Sequence, residues 1–256
     1  MAHIELNALS VNLAGTFGAH IYFPELDKLG KKQYPVLWFI HDDGGAPEDL
    51  LRFPGLEEYA MTHGVFVIAP TVSHSLATDM AFGTENETFL ADECPRLFRF
   101  LYPLSKKKED NILFSIGTGG YGAVKLALKH PDTFGGCISI SGKLDIATVC
   151  EAAAENKKLW PYQSIESLKA VFGDLHSVRS SQNDIFAIAK TVCEPFLYLA
   201  CGKQEEAYQE NLELADMYKE SITDFCDGAT TKEAIDAMMV RALGWLAVNH
   251  LGGSKE

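Results

Sequence analysis

A glycine-rich loop, Gly117-Thr118-Gly119-Gly120-Tyr121-Gly122, joins an apolar run to an amphipathic run. Glycines in this setting serve two kinds of chemistry. As G-x-G-x-x-G between a strand and a helix, the loop could hold the phosphates of a dinucleotide at a helix N-terminus. As a tight strand-to-helix turn that presents a nucleophile, it would need a serine at position 117, where this chain has glycine.

The surroundings of the loop disfavour the dinucleotide interpretation. That fingerprint normally follows the first strand of its fold, whereas four apolar runs precede the loop in this chain. It also requires an acid at the end of the next strand, about 20 residues on. The next apolar run ends at Ser141 and Gly142, and the first acid after it is Asp145. Dinucleotide binding is therefore kept only as a minor alternative.

Eight short runs predict the strands that position the loop, at residues 3–10, 18–25, 35–45, 64–70, 111–117, 135–142, 195–202 and 221–226. Amphipathic runs between them predict helices at residues 50–63, 88–100, 121–130, 208–220 and 231–250. We expect one α/β domain over residues 1–256, with an eight-stranded, mostly parallel sheet flanked by helices and a hairpin formed by the first two strands. Residues 147–190 are predicted to form a short helical cap or lid within this domain.

The segment SIGTGGYGAVKLAL, residues 115–128, resembles the G-L-S-M-G-G-Y-G-A-x-K-L-A-L turn of the tributyrin esterase and S-formylglutathione hydrolase (esterase D) group of α/β-hydrolases. Likenesses to this group extend over nearly the whole chain and include MAHIELN, TDMAFG, SKKKEDNILF, HPDTFGGCISISGKLDI and FLYLACG. The resemblance implies the α/β-hydrolase fold. It also implies serine ester hydrolysis, in which a serine attacks, a histidine takes its proton and an acid orients the histidine.

Two members of that triad are absent at the positions that match the family. The serine falls on Gly117, the acid on Glu205 and the histidine on Thr230. The register at Thr230 can slip by a few residues, but no histidine occurs between His176 and His250. The resemblance therefore predicts a pocket that keeps an acid and lacks both nucleophile and base.

The loop after the third strand also departs from the family pattern. It contains Asp42 and Asp43 after His41, and the oxyanion hole would use the backbone N–H groups of Asp43 and Thr118. Two carboxylates beside the hole would oppose the negative charge that develops on a tetrahedral intermediate. The two acids could instead hold a cation, but neighbouring loop acids are usually solvated, so no metal or cofactor is expected.

Several further side chains are candidates for the pocket. The resemblance makes His41, Asp42, His74 and Phe82 candidate lining residues, with His41 hydrogen-bonded beneath the loop. Thr118 could be a displaced nucleophile, although an exposed or helix-capping threonine is the simpler interpretation.

The composition excludes some classes of function. The chain has 256 residues, 47% of them hydrophobic, a formal charge of −13 and a pI near 5.0. Such a charge repels nucleic-acid phosphates and anionic lipids, so neither partner is expected. No signal peptide or membrane-spanning run is evident, and six scattered cysteines without a C-x-x-C pair suggest buried thiols in the reducing cytoplasm.

The leading hypothesis is an esterase relative that has lost serine-hydrolase activity and binds a small acyl-type ligand or serves in an assembly, with a homo-oligomer possible from the family resemblance. The alternative from a different class is an active carboxylesterase of the tributyrin-esterase type that uses a relocated nucleophile.

Overall fold

The computed structural model describes residues 2–25, 33–157, 164–229 and 231–250. Its strands are β1 (Ala2–Ser10), β2 (Gly15–Phe23), β3 (Val36–Ile40), β4 (Phe66–Pro70), β5 (Asn111–Ile116), β6 (Gly136–Ile140), β7 (Phe196–Gly202) and β8 (Ser221–Cys226). They form one sheet in the order β1-β2-β4-β3-β5-β6-β7-β8. The pairs β1–β2 and β2–β4 are antiparallel and the other five are parallel. The predicted sheet and its opening hairpin are therefore confirmed.

The helices are α1 (Pro54–His63), α2 (Cys94–Leu101), α3 (Gly120–Lys129), α4 (Ile146–Ala154), α5 (Ile165–Phe172), α6 (Ile185–Ile188), α7 (Tyr208–Met217) and α8 (Lys232–Asn249). A helical turn, Asn86–Thr88, and a π-helical turn, Phe89–Glu93, lead directly into α2. No helix among the described residues combines the length and apolar character that crossing a bilayer requires.

The prediction of one helix over residues 50–63 was wrong in detail. The structure has a 3-10 segment, Pro47–Arg52, followed by α1, with Phe53 between them at φ −121° and ψ 76°. Pro54 has no backbone N–H to donate and disfavours helical angles at the residue before it, so one continuous helix cannot form.

The sheet divides the core into two layers. In β3, Val36, Trp38 and Ile40 pack into one apolar cluster, while Leu37 and Phe39 pack into the other. Because alternate residues point to opposite faces, a strand covered on both sides is apolar at every position. This explains the continuous apolar runs in the sequence.

The cysteines are mostly buried, as predicted, but Cys193 is exposed and Cys226 is partly exposed. Between β6 and β7, the described part of the predicted cap contains α4, α5, the 3-10 segment Leu175–Ser177 and α6.

Candidate functional site

The glycine-rich loop forms a sharp turn between β5 and α3. Gly117 has φ +75°, a positive φ of the kind that the strained backbone of a nucleophile turn requires. A 3-10 turn, Gly117–Gly119, then leads into α3. Glycine adopts this conformation without the steric cost that a Cβ would add. The backbone of a hydrolase turn is thus present, with no side chain at its apex.

The carboxylate of Asp42 lies in the space that a side chain on Gly117 would occupy. A Cβ built on Gly117 would lie 2.6 Å from Asp42 Oδ1. That separation is shorter than any ordinary van der Waals contact, so a serine and this carboxylate cannot both occupy the turn as it stands.

The two amides expected to form the oxyanion hole lie together, but both have partners within the protein. Thr118 N–H donates to Asp42 Oδ1 at 2.6 Å, and Gly119 N–H lies 3.4 Å from the same oxygen. The Thr118 hydroxyl also donates to Asp42 Oδ1, at 2.8 Å, and accepts the Asp43 N–H at 3.0 Å. A carboxylate at the start of a helix is favourable because the free N–H groups there carry partial positive charge. Asp42 thus takes the place that an oxyanion would take.

The buried His41 ring stabilises the loop after β3 through two hydrogen bonds to backbone groups. Its Nε2 accepts the Val72 N–H at 3.0 Å, so the ring proton lies on Nδ1, which donates to the Asp42 carbonyl oxygen at 2.8 Å. The side chain is buried, and burial lowers the pKa of its imidazole despite that hydrogen bond and nearby acids. A neutral histidine with both nitrogens occupied fits the predicted structural role.

Asp43 is buried beside the turn, with 5% of its surface exposed. Burial raises the pKa of its carboxyl to about 6, and the Asp42 charge adds to this, while His74 and a hydrogen bond from the Leu76 backbone oppose it. The His74 ring is nearby, because its Cε1 lies 3.0 Å from a Cβ built on Gly44. Ionised Asp43 is therefore a destabilising feature of the loop.

Asp43→Asn is expected to raise the free energy of unfolding at pH 7 by up to about 3 kcal/mol. In the folded protein the Asp43 pKa is about 6, against an ordinary 3.8, so wild-type stability falls as pH rises through this window. The asparagine variant lacks this titration, so its advantage should be full above pH 6 and vanish toward pH 4. Urea unfolding at several pH values measures the difference. If Asp43→Asn raised the free energy of unfolding equally at pH 4 and pH 7, the ionisation of Asp43 would not be the cause. An equal increase in the exposed control variant Asp132→Asn would also contradict this explanation.

A cavity of about 610 Å³ opens at the turn. It brings together Gly117, Asp42 and Glu205, the residues to which the family resemblance assigns the nucleophile position, the loop after β3 and the triad acid. Its apolar lining consists of Phe39, Phe53, Ile116 and Ile235. Its polar lining consists of Asp42, Asp49, Arg52, Ser141, Glu205, Lys232 and Asp236. Four acids against two bases make this an acidic cavity with an apolar side.

Some of the predicted lining residues lie elsewhere. His41, His74 and Phe82 are not among the described residues that line the cavity. Phe82 is 75% exposed, and its backbone N–H donates to the Ala170 carbonyl oxygen at 2.9 Å, which directs this segment toward α5. No described residue of 147–190 lines the cavity either, so a lid role for the insertion stays a prediction. Thr230, the position predicted for the lost histidine, lies outside the described residues.

Five of the polar lining residues were not predicted from the sequence, namely Asp49, Arg52, Ser141, Lys232 and Asp236. They follow the carboxyl ends of parallel strands, where ligand sites of such sheets form. The i, i+4 spacing of Lys232 and Asp236 at the start of α8, directly after β8, was a detectable indication that both face the same way.

The cavity lining contains no histidine among the described residues. His250, the last histidine of the chain, stacks on Phe196 with ring centroids 4.3 Å apart and lies 5.1 Å from the Trp245 ring. Phe196 begins β7, whereas the cavity lies beyond the carboxyl end of that strand. His250 is therefore at the opposite edge of the sheet from Gly117.

The comparison with protein families agrees with this geometry. The Esterase family model, described as "Putative esterase", matches residues 12–221. The chain belongs to this esterase family of α/β-hydrolases. Within the family, it is 28% identical over 193 residues to an acetyl esterase of Caldicellulosiruptor saccharolyticus, which covers 72% of this chain and 71% of the relative.

Two solved structures from Staphylococcus aureus resemble this esterase-family fold closely. Fluorophosphonate-binding serine hydrolase F superimposes with a TM-score of 0.82 at 26% identity, covering 96% of this chain and 98% of the other. An S-formylglutathione hydrolase superimposes with a TM-score of 0.79 at 26% identity, with the same coverage. The α/β-hydrolase fold and the likeness to the S-formylglutathione hydrolase group are thus confirmed.

Proposed function

We propose that this esterase-family protein has lost serine-hydrolase activity and keeps its pocket for binding a small ligand. The observation that carries this proposal is the position of Asp42. Its carboxylate fills the space of the nucleophile side chain and accepts the Thr118 N–H that an acyl oxyanion would need. One side chain thereby blocks both the attack and its stabilisation.

Three requirements of the serine mechanism, the nucleophile, the base and the free oxyanion amides, fail at separate places. Position 117 has no nucleophile, and the cavity lining has no histidine among the described residues to act as base. The oxyanion amides of Thr118 and Asp43 are engaged within the protein. Removing one triad member from a serine hydrolase costs about 10⁴ to 10⁶ in kcat, and the residual rate comes from the oxyanion hole and binding. Here that residual source is also occupied, so turnover should be at background.

The cavity supports retained ligand binding. Its volume of about 610 Å³ lies within the ordinary range of small-molecule sites, ~300–1,000 Å³. Phe39, Phe53 and Ile235 offer an apolar wall, while Arg52 and Lys232 offer cationic groups among the acids. A short acyl chain could pack against the apolar wall while its polar end contacts the charged groups. We therefore propose a small acyl-type ligand for this cavity.

Hydrolysis of p-nitrophenyl acetate and butyrate tests the loss of activity. We expect release of p-nitrophenolate at the rate of buffer with an unrelated protein, because position 117 has no nucleophile and the Thr118 and Asp43 amides are engaged within the protein. The acetyl esterase relative serves as the positive control. Enzyme-level kcat/KM that co-purifies with the chain through two chromatographic steps would contradict the proposal.

One observation favours the alternative of a relocated nucleophile. The Thr118 hydroxyl lies 2.8 Å from Asp42 Oδ1 and donates to it, an arrangement of nucleophile and base. The same oxygen also accepts the Thr118 N–H, however, so attack would leave the intermediate without that amide. Thr118→Val separates the two cases, because loss of measurable turnover in this variant would establish Thr118 as the nucleophile, and an unchanged background rate supports the inactive site.

A further inference from the structure

Three potential metal ligands lie together on the β1–β2 hairpin, away from the cavity. The register pairs Glu5 with His20 and His3 with Tyr22, so His3, Glu5 and His20 share one face of the hairpin. One ligand atom from each of the three lies within 4.8 Å of the other two. Two imidazole nitrogens and a carboxylate oxygen are a donor set that Zn²⁺ and its neighbours in the first transition row bind well.

The two imidazoles already face each other through their nitrogens. His3 Nε2 lies 2.8 Å from His20 Nδ1, a contact that requires one proton between the two atoms. Tetrahedral zinc with Zn–N bonds of about 2.0–2.1 Å separates its ligand atoms by about 3.4 Å. The pair therefore has to open by about half an ångström for a metal ion to enter between the two nitrogens. The proton between them then moves to the far nitrogen of its own ring, so that each ligating imidazole stays neutral.

His20 is oriented as metal-binding histidines usually are. Its side chain is buried, its Nδ1 faces His3, and its Nε2 lies 3.8 Å from Glu48 Oε1 in the 3-10 segment Pro47–Arg52. Metal-binding histidines commonly have a carboxylate near the nitrogen that does not bind the metal. Glu48 lies on that side of His20, but 3.8 Å is beyond hydrogen-bond distance. The His3 ring is restrained in turn by the Tyr22 ring, with centroids 5.8 Å apart. The three ligand atoms thus already lie close together, and metal binding needs only small shifts of the exposed His3 and Glu5 side chains.

We propose that His3, Glu5 and His20 bind one divalent transition-metal ion, with Zn²⁺ as the best match. Three protein ligands leave a fourth position for water. A metal ion here would tie the edge strand β1 to β2 and place a positive charge near Glu48. The site is independent of the proposed loss of esterase activity, since none of its residues lines the cavity at Gly117.

Calorimetric titration of the chelator-treated protein with zinc chloride tests the proposal. We expect one equivalent of zinc bound per chain. His3→Ala and Glu5→Gln change exposed side chains, so both variants should fold. Each removes a direct ligand, so each should weaken zinc binding by at least the roughly 10-fold to 100-fold that loss of an outer-shell partner causes. His176→Ala, which removes an exposed histidine elsewhere, is the matched control and should bind as the wild type does.

Titration with cobalt chloride tests the same site by an independent, spectroscopic measurement. Co²⁺ bound by two nitrogens and an oxygen in tetrahedral geometry should produce visible absorption bands that zinc abolishes and that His3→Ala lacks. Absence of zinc binding, or zinc binding that His3→Ala and Glu5→Gln leave unchanged, would overturn the proposal. Equal weakening by His176→Ala would overturn it as well, because it would show unspecific binding to surface histidines.

Discussion

Replacing Glu87 by glutamine is expected to lower the free energy of unfolding by about 3–5 kcal/mol. Glu87 is 6% exposed and lies beneath α3, the helix that follows the turn at Gly117. Its carboxylate contacts Lys125 Nζ at 3.3 Å, Lys129 Nζ at 2.6 Å and His130 Nε2 at 3.0 Å. Loss of its charge would leave the ammonium of Lys125, which has no exposed surface, without its ionic partner.

The ion pairs of Glu87 should also make the stability of the protein depend on pH. Burial raises the pKa of Glu87, but the hydrogen bond from His130 and the charges of Lys125 and Lys129 outweigh this and bring it from 4.5 to about 2. A lowered carboxyl pKa contributes stability above pH 4.5 that is lost as the pH falls toward 2. The difference between wild type and Glu87→Gln should therefore shrink on acidification.

Urea unfolding with a matched surface variant isolates the effect of burial. Asp227 forms an ion pair with Lys203, at 2.8 Å, but its side chain is 93% exposed. Asp227→Asn makes the same chemical change and should leave the unfolding midpoint nearly unchanged, because exposed ion pairs contribute little. A loss in Glu87→Gln no larger than that in Asp227→Asn would contradict the importance of the buried cluster.

Gly117→Ser, which restores the serine of the family, is expected to destabilise the protein by about 3–5 kcal/mol without creating esterase activity. One part of the cost is the positive φ of +75°, which a residue with a side chain adopts only with strain. The other part is the collision of the new Cβ with Asp42 Oδ1, which would have to leave its hydrogen bonds with Thr118. We expect no activity in this variant, because the cavity lining offers no histidine among the described residues to act as base.

Two further variants separate strain from collision. Gly228 has φ +94°, and a Cβ built there meets nothing within 4 Å, so Gly228→Ser measures the backbone strain alone. Adding Asp42→Ala to Gly117→Ser removes the collision, so the double variant should be more stable than the sum of the single effects predicts. Equal losses in Gly117→Ser and Gly228→Ser would show that Asp42 does not occupy the nucleophile space.

The arrangement of backbone elements was largely predictable from the sequence. Small residues around Gly117 require a tight turn, and the continuous apolar runs require a sheet covered on both faces, so the turn and the sheet were both expected. Glu205 lines the same cavity as Gly117 because it follows the carboxyl end of a strand, while its equivalence to the triad acid stays a prediction. The break before α1 was missed although Pro54 indicates it directly.

The direction of individual side chains was not predictable. The sequence shows two acids after β3, but only the loop backbone decides that Asp42 turns into the oxyanion position while Asp43 turns inward. Lys125 looks like an ordinary helix lysine, since lysines are rarely buried, and its partner Glu87 lies 38 positions earlier in the chain. Such contacts depend on tertiary packing, and no local pattern encodes them.

Intact-mass analysis after incubation with a fluorophosphonate probe tests the central claim most directly, because this reagent reacts covalently with activated serines. Serine hydrolase F of Staphylococcus aureus, a fluorophosphonate-binding structural relative, is the positive control. We expect this chain to keep its unmodified mass under conditions that label the control fully, since position 117 is glycine and Asp42 occupies the turn. Stoichiometric addition of one probe to the native protein, abolished by Thr118→Val or by unfolding, would contradict the account.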